Sequence, residues 1–83
     1  MNLTFDPAKD ASNIAKHGVS LARALELDVQ IQFSDGRFEE PRYRAFGLLD
    51  GEIYCLAFTV RGEAIRAISL RRAHRKEYRR HVP

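Results

Sequence analysis

Between Arg42 and Leu70 the chain consists of three β-rich runs set apart by two tight turn signals, which leaves few folds open. Asp50-Gly51 is a two-residue hairpin signal, because the favoured turn needs positive φ at both central positions. Arg61-Gly62-Glu63 turns the chain a second time. The runs Arg42–Leu49, Ile53–Val60 and Ala64–Leu70 are therefore expected to form an antiparallel meander. Ile53–Val60 is apolar almost throughout, as a central strand covered on both faces would be.

The segment before the meander reads as strand and helix. Leu3–Phe5 forms a short strand, Asp6 caps a helix and Pro7 occupies its first position, where a missing N–H costs nothing. That helix is expected to run to about Lys16, with Ala8, Ala11, Ile14 and Ala15 as its apolar stripe. Lys9, Asn13 and Lys16 then line its polar side, and Gly18 ends it. Ser20 caps a second helix, Leu21–Asp28, burying Leu21, Ala24, Leu25 and Val29. Ser34–Pro41, with its Asp35-Gly36 and Pro41, reads as a loop. After the meander, a helix is expected from Arg71 or Arg72 to His81, packing through Leu70, Ala73 and Tyr78 and stopped by Pro83. The order is β-α-α-β-β-β-α, an α+β fold with two helices on one face of the sheet and a basic helix at the end.

Eighty-three residues suffice for one domain, taken as residues 1–83. A chain of this size buries only about 60% of its unfolded surface, so a permanent partner is in keeping. Cys55 is the single cysteine and excludes an intramolecular disulfide; mid-strand in an apolar run, it reads as core rather than nucleophile. With no secretory leader pattern at the N-terminus and no apolar run long enough to span a bilayer, the cytoplasm is the expected compartment and no membrane is expected as a partner.

Charge is unevenly distributed. Up to Val60 there are six basic and nine acidic residues; from Arg61 onward there are eight basic and two acidic, so net charges of −3 and +6 make up the overall +3. Such asymmetry points to an anionic partner, with nucleic acid foremost. Arg72, Arg75, Lys76, Arg79 and Arg80 recur at helical spacing and would share one face, fit for RNA phosphates or an acidic protein, or else simply solvated. Arginine outnumbers lysine 11 to 3, which favours phosphate, since the guanidinium pairs bidentately with its oxygens.

Arg61, Arg66 and Arg71 form a second set around the last hairpin. They either stabilise a phosphorane, whose charge builds on the equatorial oxygens, or serve as turn and edge-strand cations, Arg61 pairing with Glu63. Lys16 and His17 close the first helix. One reading makes them a phosphate ligand and a general acid or base; the other makes them cations favoured at a helix C-terminus. Glu77, among arginines, is either a base for a ribose 2′-hydroxyl or a salt-bridge hub. His74 and His81 lie seven residues apart without a third ligand, so neither a metal nor a cofactor is expected.

The strings Phe5-Asp6-Pro7-Ala8-Lys9, Asn13 and Lys16-His17-Gly18-Val19-Ser20 resemble the N-terminal signature of the BrnT toxin family. Thr59-Val60-Arg61-Gly62, Ile65-Arg66 and Ile68-Ser69-Leu70-Arg71-Arg72-Ala73, then Glu77, resemble its C-terminal signature. The likeness spans nearly the whole chain and is weaker from Asp28 to Pro41. It implies a RelE-like fold and a bacterial ribonuclease toxin that blocks translation. It also implies a DNA-binding antitoxin encoded alongside, the complex repressing its own operon. Function would fall on Lys16, His17, Arg61, Arg66, Arg71 and Glu77. Three positions depart from the pattern: Phe5 replaces a tryptophan, Leu21-Ala22-Arg23 replaces acidic residues, and His81 replaces a tyrosine, which leaves the general acid unassigned.

The leading expectation is thus a type II toxin that cleaves RNA without a metal. His17 or Glu77 would act as base, Arg61, Arg66 and Arg71 would hold the phosphorane, and Lys16 with the cationic row from Arg72 to Arg80 would grip the RNA. Its expected partners are RNA and a dimeric, BrnA-like antitoxin through which alone it meets operator DNA, with a homodimer inside that complex left as an option. The rival is a toxin-like module or co-repressor that docks an antitoxin and cuts nothing. A third reading is an orphan RNA-binding domain.

Overall fold

The computed structural model describes residues 2–37 and 39–81. In chain order these form β1 (Asn2–Thr4), α1 (Pro7–His17), a 3₁₀ helix (Leu21–Glu26), β2 (Asp28–Asp35), β3 (Arg42–Leu49), β4 (Glu52–Arg61), β5 (Ala64–Arg72) and α2 (Arg75–Arg79). The strands make one sheet in the order β1-β5-β4-β3-β2. The expected meander is its centre: β3, β4 and β5 pair antiparallel, with Phe46 opposite Cys55 and Cys55 opposite Arg71. Asp50 and Gly51 both take positive φ, 52° and 76°, as the hairpin signal required.

Two strands differ from the sequence expectation. β2 was absent from it, although Val29, Ile31 and Phe33 alternate with glutamines, the period of a strand with one face turned inward. It pairs antiparallel with β3 and shortens the expected Ser34–Pro41 loop, of which Phe38 lies outside the described residues. β1 adds to the far edge in parallel, Leu3 against Ile65, so the sheet is mixed. Gly47 of β3 lies against the point where the 3₁₀ helix passes into β2: a Cβ there would strike the Asp28 backbone, so the close approach excludes any side chain.

The principal core lies on the side of α1 and the 3₁₀ helix, with Leu21, Leu27, Leu49, Leu56, Phe58 and Leu70 buried in it. Leu25 (53% exposed) and Val29 (46%) stay outside this core, contrary to expectation. The second helix is a 3₁₀ helix of six residues that ends before Asp28, and its tighter repeat buries Leu21, Ala24 and the following Leu27 instead. Leu25 and Val29, with Val60, border an open apolar groove of about 240 Å³.

α1 starts as expected, Asp6 accepting from the Ala8 N–H, and ends at Gly18 with φ 72°. Its inward face is reversed, however. Ala8, Ala11, Ile14 and Ala15 are exposed, and the one buried side chain is Asn13. β1 is too short to cover β5 beyond Arg66, so the Leu70 peptide faces an open sheet edge. Asn13 fills that edge, donating to the carbonyls of Leu70 (2.8 Å) and Val19 (2.9 Å) and accepting from the Leu70 N–H (3.1 Å). One turn earlier, Asp10 accepts from the Ser20 hydroxyl and the Leu21 N–H, fixing the start of the 3₁₀ helix. Polar side chains meeting unpaired backbone groups position this helix, and an apolar stripe does not.

Asn13→Ala would leave three buried backbone groups without partners. At roughly 1–3 kcal/mol for each group, partly relieved by water, a loss of about 3 kcal/mol is expected. In a domain of this size that is a fall of more than about 10 °C in Tm. A thermal unfolding scan of the variant that matched the original chain would refute the structural role.

Candidate nucleic-acid interface

Strand register gives the composition of the sheet's other face, which α1 and the 3₁₀ helix leave bare. Cross-strand partners point to the same side. Phe33, Arg44, Ala57 and Ser69 form one row across four strands, and Phe46, Cys55 and Arg71 form the next. Thr59 faces Arg66, and Arg61 lies two residues further along β4 on the same side. All three arginines expected to contact phosphate therefore share this face. They are spread along it: Arg61 lies six residues from the partner of Arg71, about 20 Å along the strand. Arg66 belongs to the Arg61 end, and Arg44, not foreseen as a site residue, lies between the two ends.

The two ends differ electrostatically. Arg71 grips Glu77 with two bonds, of 2.9 and 2.8 Å. That guanidinium, its hydrogen bond first and its charge after, holds the Glu77 carboxyl below the ordinary value of 4.5, with the charges of Arg44 and His74 adding to the effect. Glu77 in turn raises the pKa of Arg71. Arg61 and Arg66, by contrast, take no ion-pair partner among the described residues, and the expected pairing of Arg61 with Glu63 is not formed. Beside Arg66, the Thr59 hydroxyl is buried and meets no hydrogen-bond partner among the described residues. Unpaired guanidinium groups with spare donors at one end of the face form a natural seat for phosphate oxygens.

Lys16 and His17 come in from the sheet edge. With Lys9, Ser12 and Asn13 of α1 they line a cleft of about 190 Å³ against Ile68 and Ser69 of β5. Ser69 belongs to the bare face, between Arg66 and Arg71, so the edge cleft opens beside the arginines. The C-terminal cations are arranged differently from the sequence expectation. Helix α2 spans only Arg75–Arg79, while Arg72 belongs to β5 and pairs with Glu52 at 2.7 Å. The β-ladder outlasts the helical signal because Arg72 still pairs with Tyr54 and the Ala73 N–H still donates to the Ile53 carbonyl. Leu70, expected under this helix, is buried in the core on the opposite side. Arg75, Lys76, Arg79 and Arg80 are exposed, and Tyr78 packs edge-on to Phe46 as a sheet contact. Pro83, expected to end the helix, lies outside the described residues.

Cys55 is buried on this face beneath the arginines, and burial pushes its thiol up in spite of the Arg71 and Arg44 charges. That suits a packing role and not nucleophilic attack. Among the described residues, no three His, Cys, Asp or Glu side chains gather as a metal-ligand set. Nor is any helix long and apolar enough to cross a membrane.

A small α+β fold with arginines along the sheet face away from its principal core defines a protein built to hold an anionic chain. Comparison with known proteins narrows this class. The family profile described as the ribonuclease toxin BrnT of type II toxin–antitoxin systems matches residues 5–77. The crystal structure of the Brucella abortus ribonuclease toxin BrnT is similar, with a TM-score of 0.71 and 31% sequence identity over 90% of this chain and 99% of that one. Among curated proteins, none matches. The chain belongs to the BrnT family. It is a ribonuclease toxin of a type II toxin–antitoxin system, with RNA as its substrate and an antitoxin as its partner.

Two outcomes test the site electrostatics. Folding lowers the Glu77 pKa, so the Arg71–Glu77 pair adds stability above the ordinary value of 4.5 and loses it as pH falls through the lower folded value. Glu77→Gln is expected to cost about 1 kcal/mol at pH 7 and to converge with the parent once the pH is low enough to protonate Glu77 in the folded chain, below its ordinary value, read from urea midpoints. Thr59→Val replaces an unsatisfied hydroxyl with an isosteric methyl and is expected to stabilise the fold by about 1 kcal/mol. A lower urea midpoint for that variant would show that the hydroxyl does have a partner.

Proposed function

We propose that the bare sheet face is the ribonuclease site and that it cuts RNA internally without a metal. The observation that carries this reading is the contrast among its arginines: Arg71 is held by Glu77, whereas Arg61 and Arg66 meet no side-chain partner among the described residues and keep their donors for phosphate. In this reading a ribose 2′-oxygen attacks the adjacent phosphorus. The new P–O2′ bond forms as the P–O5′ bond breaks; the base takes the 2′-hydroxyl proton and solvent water supplies one to the departing O5′, leaving a 2′,3′-cyclic phosphate and a 5′-hydroxyl. Charge on the equatorial oxygens of the phosphorane is met by Arg61 and Arg66, with Arg71 extending the field along the chain.

Between the two candidate bases, the geometry favours His17. Both Glu77 oxygens are engaged by Arg71 and its proton affinity is reduced, which suits a positioning role for that carboxylate. His17 is exposed at the edge cleft, next to Ser69 on the arginine face. Lys16 beside it, together with Arg75, Lys76, Arg79 and Arg80, would carry the flanking backbone by charge alone, an interaction that weakens with salt; Arg72, expected in this row, is turned to the other side of the sheet and paired with Glu52.

The same reading makes residues 1–83 one toxin domain acting in the bacterial cytoplasm, where cleavage arrests translation. Its antitoxin is then a dimeric, BrnA-like DNA-binding protein that carries the toxin to operator DNA, two toxin copies joining one complex. The support is membership of a type II family and the exposed cations of the C-terminal segment, which suit an acidic partner segment as well as RNA.

Expression of the chain alone in a bacterial host, beside an Arg66→Ala, Arg71→Ala double variant, tests the assignment. The parent should stop growth and degrade RNA at substoichiometric amounts, and the variant should lose at least about 100-fold in cleavage rate. Cleavage by the variant at the parental rate would remove these arginines from the mechanism.

A further inference from the structure

Where β2 and β3 meet the C-terminal segment, the bare face carries a cleft that the phosphate chemistry leaves unused. It is about 290 Å³ in volume, just below the ~300–1,000 Å³ typical of small-molecule pockets, and open on one side. Its walls include Phe33, Asp35, Arg37, Arg44 and His81. His81 stacks on Phe33 with ring centroids 4.4 Å apart and planes at 18°, and on the fully buried Phe46 at 5.4 Å and 23°. His81 itself remains exposed, so an aromatic stack rises from the sheet and ends at solvent.

The polar wall is equally specific. Asp35 accepts from Arg37 through its backbone N–H, Nε and Nη2, and from Nε of Arg44 at 3.2 Å. Four donors fill the carboxylate's four lone-pair sites, so Asp35 has no capacity left for a ligand and acts to aim its arginines. Arg44 spends only Nε on that bond. Its two terminal amino groups keep their four N–H donors, at the mouth of the cleft and beside the aromatic stack.

We propose that this cleft is a nucleobase subsite that takes guanine. The base would stack on the His81–Phe33 platform, and its O6 and N7 would accept from Arg44. The proposal rests on the reading of this face as the RNA-cleaving surface, and it assigns that surface a means of choosing where to cut. Single-stranded RNA is commonly read in this way, with an unstacked base on aromatic rings and its edge met by fixed donors. Guanine is selected because it presents two adjacent acceptors to an arginine fork, whereas adenine offers an amino donor in place of one of them. The position fits as well. Arg44 is in the same cross-sheet row as Ser69, two strands or about 10 Å from β5, so a base in the cleft belongs to a nucleotide adjoining the one held by the arginines.

Two measurements on the full chain test the subsite. In the first, NMR follows the Phe33 and His81 ring signals during titration with GMP, AMP, UMP and ribose 5-phosphate. GMP should shift both rings and bind at least about tenfold more tightly than AMP. A GMP response no larger than that of ribose 5-phosphate, or equal affinity for GMP and AMP, overturns the proposal. In the second, kcat/KM is compared for one RNA carrying guanine or adenine next to the cut. The preference for guanine should collapse towards unity in Arg44→Lys and in Phe33→Leu, two variants that keep the charge and the apolar contact respectively. An unchanged preference in both overturns the assignment. GMP binding without RNA cleavage would support the subsite and overturn only the ribonuclease site, whereas cleavage without a GMP contact would do the reverse.

Discussion

The carboxamide of Asn13 holds the two halves of this molecule together. A sheet strand whose neighbour ends early exposes a peptide N–H and carbonyl, and neither is tolerated in a buried place without a partner. Here one side chain serves both groups of Leu70 and a third at Val19, and so ties α1, the following turn and β5 to one another. A carboxamide presents its donor and acceptor side by side in one plane, which matches the carbonyl and N–H of a single peptide edge. The rest follows from it. With α1 fixed along the β5 edge, Lys16 and His17 reach the rim of the arginine face, and Asp10 of the same helix sets the 3₁₀ helix over the core.

The sheet then divides the work between its two surfaces. One side is covered by α1 and the 3₁₀ helix and carries the principal apolar core. The other carries Arg61, Arg66 and Arg71 in register with Ala64, Thr59 and Cys55. Carboxylates are placed on that face with economy. Glu77 restrains Arg71, and Asp35 restrains Arg44 and Arg37, which turns mobile cations into fixed donors. Leaving Arg61 and Arg66 without such restraint keeps one end of the face open to an anion. A surface of this kind lowers the energy of a developing charge without first having to break its own ion pairs.

The short helix α2 completes the face from the C-terminal side. Its position is set by the Arg71–Glu77 pair and by Tyr78 and His81 against Phe46. The aromatic swap at His81, a departure from the family pattern in the sequence, keeps a flat ring at the sheet surface. Ion pair and ring stack together place a cationic segment beside an aromatic platform, the combination that single-stranded RNA binding calls for.

Much of this was legible in the residues themselves, because it depended on local chemistry. Asp50-Gly51, Asp6-Pro7 and Gly18 state turn, cap and helix end in terms of φ and missing donors, and the three strands of the meander fall where their apolar runs lie. The signature residues likewise announced the family. Tertiary structure decided what depends on partners distant in sequence. The inward face of α1 could not be read from hydrophobicity, since Asn13 is chosen by an open strand edge 57 residues away. The cationic row was split because β-ladder bonds to Ile53 and Tyr54 outlast a helical pattern that ignores them. Arg44 drew no notice as one arginine among eleven; only strand register put it beside Phe33 and Asp35, where the proposed base subsite lies. Sequence fixes which elements a stretch of chain can form; which of their groups remain unpaired, and so free for function, is settled by the fold.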